Sequence, residues 1–461
     1  MPNIFYPVFL DVRGRRCVIL GGGHEEETKA EVLLERGAQV TVINPGVTVA
    51  ILDLARAGAL LWERRPYRAE DLKGAFLAVA EMGASGDLLQ VALENNVLLN
   101  VVDTTRLCIW IAAAIVRRGD VTLAISTGGA SPALARKLRE GLTRSRALQW
   151  ADLSPLLGRA RLELKRRGVR APGARWQAAL SDGLLDLHQR GEQQQAWESL
   201  MASLVDGGMP MPPSEVAADA ESLEDGLLPT EGESTASHDG PPDNRYYPVY
   251  LRLQGRLCVV IGGGEVAERK VGQLLESQAK VKVVSPEVTA GLQRLASEGA
   301  LAWEARAYRA GDLARAFLAI AATSDSAVNR QVAQEAEDQN VLVNVVDNPG
   351  LGRFLAPSVV RRGEVIVAIS TGGASPALAR KLKEELAQCP ELQWAAAAPL
   401  LSWARLELRP RGVRVRPDRW QECLTDDLLL LYQGGRYEEA QERLMAMLLE
   451  RGEPAPDARS P

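Results

Sequence analysis

The sequence predicts an α/β fold in which two doubly wound, Rossmann-like domains follow one another in a single chain. Strand-like apolar runs alternate with helical stretches, two of these runs lead into glycine-rich turns, and the whole pattern is written twice. Strands that alternate with helices favour a parallel sheet covered by helices on both faces. We expect each Rossmann-like domain to be followed by a small strand-and-helix dimerisation region and a helical tail.

The repeat is a tandem duplication of a whole multi-element domain. The stretch YPVFLDVRGRRCVILGGG, from Tyr6, matches YPVYLRLQGRLCVVIGGG, from Tyr247. The stretch AISTGGASPALARKL occurs without change in both halves, ending at Leu138 and at Leu382. A repeat that contains many secondary-structure elements is too long for a solenoid, so we expect two copies of one domain.

Composition narrows the class of protein. The chain has 461 residues, of which 46% are hydrophobic and 25% are charged, and its formal net charge is -5. Nucleic-acid-binding domains are usually clearly basic. The N-terminal residues lack the pattern of a secretory leader, and no uncharged apolar run approaches the ~20 residues of a membrane span. Well-separated cysteines and three histidines predict no metal site, so we expect a cytoplasmic protein that binds neither nucleic acid nor membranes.

An acidic segment, residues 206–244, separates the copies. It is rich in Pro, Gly, Ser, Asp and Glu and contains neither Lys nor Arg, so it cannot bury enough apolar surface to order itself. A flexible linker of this length spans roughly 35 Å, enough for the copies to pack together as an intrachain pseudo-dimer. The alternative is two separate domains on a string.

The repeat and the linker together predict five segments. They are residues 1–115 (degenerate Rossmann-like domain, copy 1), 116–205 (dimerisation and helical region, copy 1), 206–244 (linker), 245–359 (dinucleotide-binding Rossmann-like domain, copy 2) and 360–452 (dimerisation and helical region, copy 2).

The glycine-rich turn of copy 2, GGGEVAERK, predicts a dinucleotide site. Gly262, Gly264 and Ala267 fit the pattern G-x-G-x-x-A. The first glycine allows a tight turn, the second lets the backbone approach a pyrophosphate, and the small third residue lets helix and strand pack closely. The helix N-terminus then offers free N–H groups and a positive dipole end to the phosphates.

The corresponding turn of copy 1, GGGHEEETKA, has Glu26 in the third position, between Glu25 and Glu27. Burial of a carboxylate there costs several kcal/mol unless it is neutralised, so we expect Glu26 to obstruct the packing that a cofactor turn requires. Acidic residues in a first helical turn also stabilise the helix through its dipole, which keeps a purely structural role open.

Copy 1 is also three residues shorter between Ala80 and Asn96 than copy 2 between Ala321 and Asn340. Both changes affect the ligand crevice, so we predict that only copy 2 binds a dinucleotide.

Two further features of copy 2 are candidates for the site. Asp347 ends the strand-like run VLVNVV, and a carboxylate at the carboxyl end of such a strand faces the crevice. Its alternative role is to open a Pro-Gly turn. In STGGASPALARK, Ser375 is placed to cap a helix with Pro376 at its first position, which leaves N–H groups for an anion. The alternative there is a capped structural helix or part of the interface between the copies.

Several motifs together resemble one known family. They are GGGEVAERK, FLAIAATSD, NVVD, the Phe354, Pro357 and Ser358 set, and STGGASPALAR. These resemble the precorrin-2 dehydrogenase/sirohydrochlorin ferrochelatase family, the N-terminal module of siroheme synthases. The resemblance implies NAD-linked oxidation of precorrin-2 to sirohydrochlorin and, in bifunctional members, insertion of ferrous iron as a substrate. It also implies a homodimer with interlocked central strands, which a tandem copy would supply in a monomeric or weakly associating chain.

The resemblance also implies roles for individual residues. Asp347 is the implied catalytic residue, whereas in copy 1 the surroundings of Asp103 differ and Trp110 is expected to fill a core instead. NAD rather than NADP rests on the resemblance, because Ser285 stands where many NAD enzymes carry an acidic residue. The implied cofactor contacts are Gly262, Gly263, Gly264, Glu265, Val266, Pro286, Glu287 and Thr323. The candidate substrate contacts are Ser370, Thr371, Gly372, Gly373, Ser375 and Arg380. The competing interpretation is a non-catalytic regulator or scaffold that binds nucleotide and tetrapyrrole.

Overall fold

The computed structural model describes residues 5–81, 86–102, 104–205, 209–210, 246–346 and 348–450. The predicted linker, apart from residues 209–210, lies outside the described residues, and so do Asp103 and Asp347. Within them, the predicted fold class is confirmed, because each copy contains a five-stranded parallel sheet with helices packed against its strands.

Copy 1 begins with the Rossmann-like domain and continues into the dimerisation region and tail. Its elements are β1 (Tyr6–Asp11), β2 (Arg16–Leu20), α1 (His24–Leu34), β3 (Gln39–Ile43), α2 (Val49–Arg56), β4 (Leu61–Glu63), β5 (Leu77–Ala80), α3 (Gly86–Glu94), β6 (Leu98–Val101), β7 (Trp110–Ala112), β8 (Ala114–Arg118), β9 (Val121–Ser126), α4 (Pro132–Arg144), a 3₁₀ segment (Arg146–Leu153), α5 (Ser154–Arg166), β10 (Val169–Arg170), α6 (Gly173–Ala179), α7 (Asp182–Gln189), α8 (Gln193–Val205) and β11 (Met209–Pro210). The parallel sheet has the order β4-β3-β2-β5-β6.

Copy 2 repeats this order. Its elements are β12 (Tyr246–Leu251), β13 (Leu257–Ile261), α9 (Glu265–Glu276), β14 (Lys280–Val284), α10 (Ala290–Ser297), β15 (Ala302–Glu304), β16 (Leu318–Ala321), α11 (Ser326–Asp338), β17 (Leu342–Val345), β18 (Phe354–Leu355), β19 (Ser358–Arg362), β20 (Val365–Ser370), α12 (Pro376–Ala387), a 3₁₀ segment (Pro390–Ala397), α13 (Ala398–Leu408), α14 (Pro417–Glu422), α15 (Asp426–Gln433) and α16 (Tyr437–Leu449). Its parallel sheet has the equivalent order β15-β14-β13-β16-β17. The central strands are buried apolar runs, as expected for a sheet that is covered on both faces.

Two antiparallel sheets join the copies. In the first, β1 and β12 pair along their whole length with Val8 opposite Val249, and each then pairs with a strand of the other copy in the order β18-β1-β12-β7. In the second, β9 pairs with β20 and the order is β19-β20-β9-β8. The first strand of each copy therefore lies between two strands of the other copy in one shared sheet: β1 pairs with β18 and β12 of copy 2, and β12 pairs with β1 and β7 of copy 1. The predicted intrachain pseudo-dimer is confirmed, and the two copies are not separate domains on a string.

The helical regions of the two copies also pack against each other. The amine of Lys137 in α4 lies 4.1 Å from the ring centroid of Trp394, and the amine of Lys381 in α12 lies 4.3 Å from that of Trp150. Buried leucines from both copies form one common core around these contacts. Among the described residues, no helix has both the length and the apolar character needed to cross a membrane.

Tyr250 lies between the two joining sheets and differs from its counterpart in copy 1, Phe9. Its side chain is fully buried, and its hydroxyl is 2.7 Å from the carbonyl oxygen of Ala124 and 2.9 Å from that of Ile366. The hydroxyl donates toward strands of both copies. This polar contact therefore holds β9 and β20 in register at the centre of the molecule.

We predict that Tyr250→Phe lowers the free energy of unfolding by about 1–2 kcal/mol, because it removes a buried hydrogen bond without changing the packing of the ring. Urea denaturation of the full chain measures this. Tyr6→Phe is the matched control, since the buried Tyr6 hydroxyl has no hydrogen-bond partner among the described residues. Equal losses of stability in the two variants would contradict the role assigned to Tyr250.

Candidate functional site

The glycine turn of copy 2 is shaped by close contacts within the protein. Gly262 has φ +116°, and a Cβ atom there would lie 2.4 Å from the carbonyl oxygen of Ala322. At Gly263 a Cβ atom would lie 2.1 Å from the carbonyl oxygen of Glu287. Any side chain at either position would collide with backbone, so the fold itself requires both glycines.

Gly264 is different, because among the described residues nothing occupies the space that a side chain there would fill. Its φ is -80°, which suits any residue, and a Cβ atom would meet no atom within 4 Å. Gly264 caps α9, and the first helical residues Glu265 and Val266 follow it. Ala267 is fully buried against the sheet and has no polar group that could reach the Gly264 N–H. The helix N-terminus therefore faces open space, as an anion-binding terminus does.

The other implied cofactor residues lie along the same edge of the sheet. Pro286 and Glu287 are exposed just after β14, where the Ser285 hydroxyl donates to the Glu287 carbonyl at 2.7 Å. Thr323 follows β16, and its loop is held by a hydrogen bond between its hydroxyl and Asn329 at 3.0 Å. The structure thus brings the predicted cofactor contacts together at the carboxyl ends of neighbouring parallel strands, where ligands bind in such folds.

In copy 1 the same turn is occupied by its own side chain. Glu26 is buried with 5% of its surface exposed, and its carboxylate accepts a hydrogen bond from the Gly23 N–H at 3.0 Å. The helix still packs on the sheet, with Ala30 and Leu33 buried. The expectation that Glu26 obstructs this packing is wrong, because the side chain folds back over the helix N-terminus instead of entering the helix–sheet contact. The Glu26 carboxylate therefore bonds to the Gly23 N–H, whereas the corresponding Gly264 N–H of copy 2 is open.

Glu81, which is not among the residues predicted from the sequence, is a second carboxylate at this turn. It follows β5 directly, at the position that Ala322 has in copy 2. Burial and the neighbouring Glu26 raise the pKa of Glu81. The signal in the sequence was a charged residue immediately after the apolar strand LAVA. Copy 1 therefore has two glutamates where copy 2 has Ala267 and Ala322.

The turn in STGGASPALARK has the predicted helix cap. The Ser375 hydroxyl accepts from the Leu378 N–H at 3.2 Å, and Pro376 opens α12. The Thr371 hydroxyl bonds to the backbone of Ser375, and the Ser370 hydroxyl accepts from the Gly372 N–H. These candidate substrate contacts are therefore engaged in building the turn. Gly373, with φ +90°, and Arg380 remain exposed.

The tail of each copy contacts this turn of the other copy. Arg161 of α5 donates to the Gly373 carbonyl at 3.4 Å, and Arg405 of α13 donates to the Ala130 carbonyl of the copy 1 turn at 3.2 Å. The unchanged motif therefore belongs to the interface between the copies. Arg161 is not predictable from the sequence, because only the folded pseudo-dimer brings it to the turn of copy 2.

The strand that precedes Asp347 ends at the same edge of the sheet. The Val346 N–H donates to the Ala321 carbonyl at 2.9 Å, beside the turn that Thr323 opens.

In copy 1, Trp110 is fully buried and its indole donates to the Leu98 carbonyl at 2.9 Å, which confirms that it fills a core. Within the described part of the chain, no group of three or more His, Cys, Asp or Glu residues could hold a metal ion.

Comparison with known proteins gives both copies the same family. A family of NAD(P)-binding domains matches residues 8–114 and 249–358. The central region of sirohaem biosynthesis proteins matches residues 118–145 and 362–388, so the two matches follow one another in each copy. The chain belongs to the siroheme synthase family. It carries the NAD(P)-binding and central regions of that family as a tandem duplication.

Individual relatives match about one copy. Siroheme synthase of Nitrosococcus oceani is 37% identical over 206 residues, which are 44% of this chain and 44% of the relative. Siroheme synthase of Nitrosospira multiformis is 48% identical over 145 residues, 31% of each chain. The solved precorrin-2 dehydrogenase SirC is 30% identical, with a TM-score of 0.36, and the match covers 42% of this chain and 97% of that one. The chain spans less than half the length of these curated relatives.

We predict that Glu81→Gln raises the melting temperature at pH 7. The folded-state pKa of Glu81 is raised, so its protonated form stabilises the folded state, and this contribution is lost as the pH rises through that pKa. The difference between variant and wild type should shrink as the pH falls toward about 4.3, the ordinary pKa of glutamate.

Thermal unfolding across this pH range measures the effect. Glu25→Gln is the control, because Glu25 is exposed in the first turn of α1 and its carboxylate favours the helix. A pH-independent change in Glu81→Gln would contradict the assignment.

Proposed function

We propose that the chain oxidises precorrin-2 to sirohydrochlorin with NAD, in siroheme biosynthesis, and that it does so at copy 2 alone. The observation that carries this proposal is the open N-terminus of α9 at Gly264, whose counterpart in copy 1 is capped by Glu26. The curated relatives, which are named siroheme synthases, support the pathway.

Copy 2 would hold the dinucleotide through backbone and dipole. NAD, when bound, supplies the acceptor for a hydride. The N–H groups of Gly264 and Glu265 face the space where a pyrophosphate fits, and the positive end of the α9 dipole favours its charge. Glu287 is exposed beside Ser285 and places a carboxylate near the end of β14, which disfavours the additional phosphate of NADP.

Asp347 is the proposed proton acceptor. Oxidation of a tetrapyrrole by hydride removal also releases a proton, which a carboxylate at the edge of the crevice can take. The assignment is supported by the family resemblance and by the position of β17 beside β16. The alternative role of Asp347, opening the turn that leads to Pro349, is what mutation of this residue tests.

The substrate is proposed to bind between the two turns of copy 2. A tetrapyrrole with several carboxylates suits the exposed Gly373 backbone, flanked by Arg380 and by Arg161 of copy 1. Ferrous iron insertion into sirohydrochlorin is a second proposed activity, with iron as a substrate captured by the macrocycle. A regulator that binds both ligands without turnover is the competing function, and an anaerobic assay with precorrin-2 and NAD, with and without ferrous iron, separates the three.

We predict that the wild type binds one NAD per chain and that Gly264→Ala weakens this binding about tenfold or more, because a methyl group would stand where the pyrophosphate approaches. The melting temperature should be unchanged, since the Cβ meets no protein atom. Calorimetric titration measures both stoichiometry and affinity. Gly23→Ala in copy 1 is the matched control and should leave NAD binding as in the wild type; two NAD molecules per chain would exclude the proposal.

We predict that Asp347→Asn lowers kcat for precorrin-2 oxidation about 100-fold or more while leaving NAD affinity unchanged, because it removes a general base but no cofactor contact. The anaerobic assay follows NADH formation. Asp103→Asn, the same change in copy 1, should have no effect. Full activity of Asp347→Asn would remove the catalytic assignment and leave the turn-opening role.

A further inference from the structure

A carboxylate in the first turn of α9 is bonded to the neighbouring helix and not to its own helix N-terminus. Glu268 accepts a hydrogen bond from the Thr289 hydroxyl at 2.5 Å, so its charge is held against the start of α10. The Thr289 hydroxyl also caps α10 by accepting from the Leu292 N–H at 3.3 Å. The Thr289 N–H donates to the Gly263 carbonyl at 3.0 Å. One threonine therefore connects Glu268, the cap of α10 and the glycine turn.

Gly291 makes room for this carboxylate. A Cβ atom at Gly291 would lie 1.9 Å from the Oε1 atom of Glu268, which is closer than two such atoms can approach. Gly291 lies in the first turn of α10, and glycine within a helix is less favourable than alanine. The helix therefore does not require glycine here, whereas the contact with Glu268 does. A methyl group at this position would displace the Glu268 carboxylate, because that flexible side chain is the part of the contact that can move.

Copy 1 shows where such a carboxylate lies when alanine replaces the glycine. The three residues of the contact have as counterparts Glu27, Thr48 and Ala50. Thr48 still caps its helix, but among the described residues no hydrogen bond joins it to Glu27. The Glu27 carboxylate lies 3.4 Å from the Nδ1 atom of His24 instead, and His24 is the first residue of α1. With Ala50 in place, the carboxylate is therefore found at the N-terminus of its own helix.

The same displacement in copy 2 would bring two negative charges together. The counterpart of His24 is Glu265, which is exposed at the first position of α9. A displaced Glu268 would lie beside the Glu265 carboxylate, at the helix end where the pyrophosphate is proposed to bind. Like charges at short distance repel, and each would also repel the phosphates.

From these observations we infer that Thr289 and Gly291 are positioning residues for the dinucleotide, which act by holding the Glu268 carboxylate against α10 and away from the phosphates. The inference rests on the proposed cofactor site of copy 2. It also adds Ala50 to Glu26 and Glu81 as a difference that disfavours a dinucleotide in copy 1.

The test is calorimetric titration of the full chain with NAD. Gly291→Ala should weaken NAD binding about tenfold, because a second carboxylate would then face the pyrophosphate. The loss should shrink as sodium chloride is added, since salt screens the interaction between exposed charges. The melting temperature should be unchanged or raised, because alanine is the better helix former. A substitution that only disturbed the fold would give a loss that salt does not reduce.

A second variant separates charge from shape. Glu268→Gln removes the charge and keeps the size of the side chain, so Gly291→Ala combined with Glu268→Gln should bind NAD within about threefold of the wild type. Ala50→Gly, the reverse change in copy 1, is the matched control and should leave NAD binding unchanged.

The outcomes distinguish this inference from the proposed function. Equal NAD affinity of Gly291→Ala and the wild type, or a loss that Glu268→Gln does not restore, would overturn the inference and leave the cofactor site of copy 2 in place. A wild type that binds no NAD would overturn the proposed function and this inference with it.

Discussion

The antiparallel pairing of β1 with β12 is the contact on which the rest of the structure depends. Each of these strands is central in a sheet whose other members come from both copies, so neither copy can complete its core alone. An unpaired β1 or β12 would present an apolar edge to solvent. This constraint explains how copy 1 can change at its ligand crevice and still keep the strand residues, such as Val8, that copy 2 needs.

Copy 1 keeps the glycine turn, and its own Glu26 side chain bonds to the helix N-terminus there. The corner made by its glycines is intact, and the N–H that would face a phosphate is bonded to Glu26. A carboxylate attached to the same helix acts at a high effective concentration, so a free anion competes poorly with it. Glu81 adds a second negative charge at the same place. Glu26 thus satisfies the helix N-terminus, and the negative charge at this turn disfavours a pyrophosphate.

The sequence predicted the features that depend on local pattern. Alternating strands and helices, the glycine turns, the Ser375 cap and the duplication all follow from short-range spacing. The pairing of strands between the two copies was implied only by the family resemblance. Strands that pair across more than two hundred residues leave no local pattern in the sequence. Glu26 was misjudged because a side chain in the first turn can fold back to the residue three positions earlier. Arg161 reaches its site only in the folded pseudo-dimer, and Glu81 is perturbed only because Glu26 lies beside it.

Two of the differences between the copies lie at the two ends of one helix. Glu26 lies in the first turn of α1 and bonds to the Gly23 N–H, whereas Arg36 lies just beyond the last turn and bonds to the Val32 carbonyl. Each charge has the sign that neutralises the dipole at its own end of the helix. The corresponding positions of α9 are Ala267, which has no polar group, and Ser277, whose uncharged hydroxyl donates to the Gln273 carbonyl at 3.0 Å. In copy 1 charged side chains of the chain itself therefore close both ends of the helix, whereas in copy 2 a serine hydroxyl closes the C-terminal end and the N-terminal end is open.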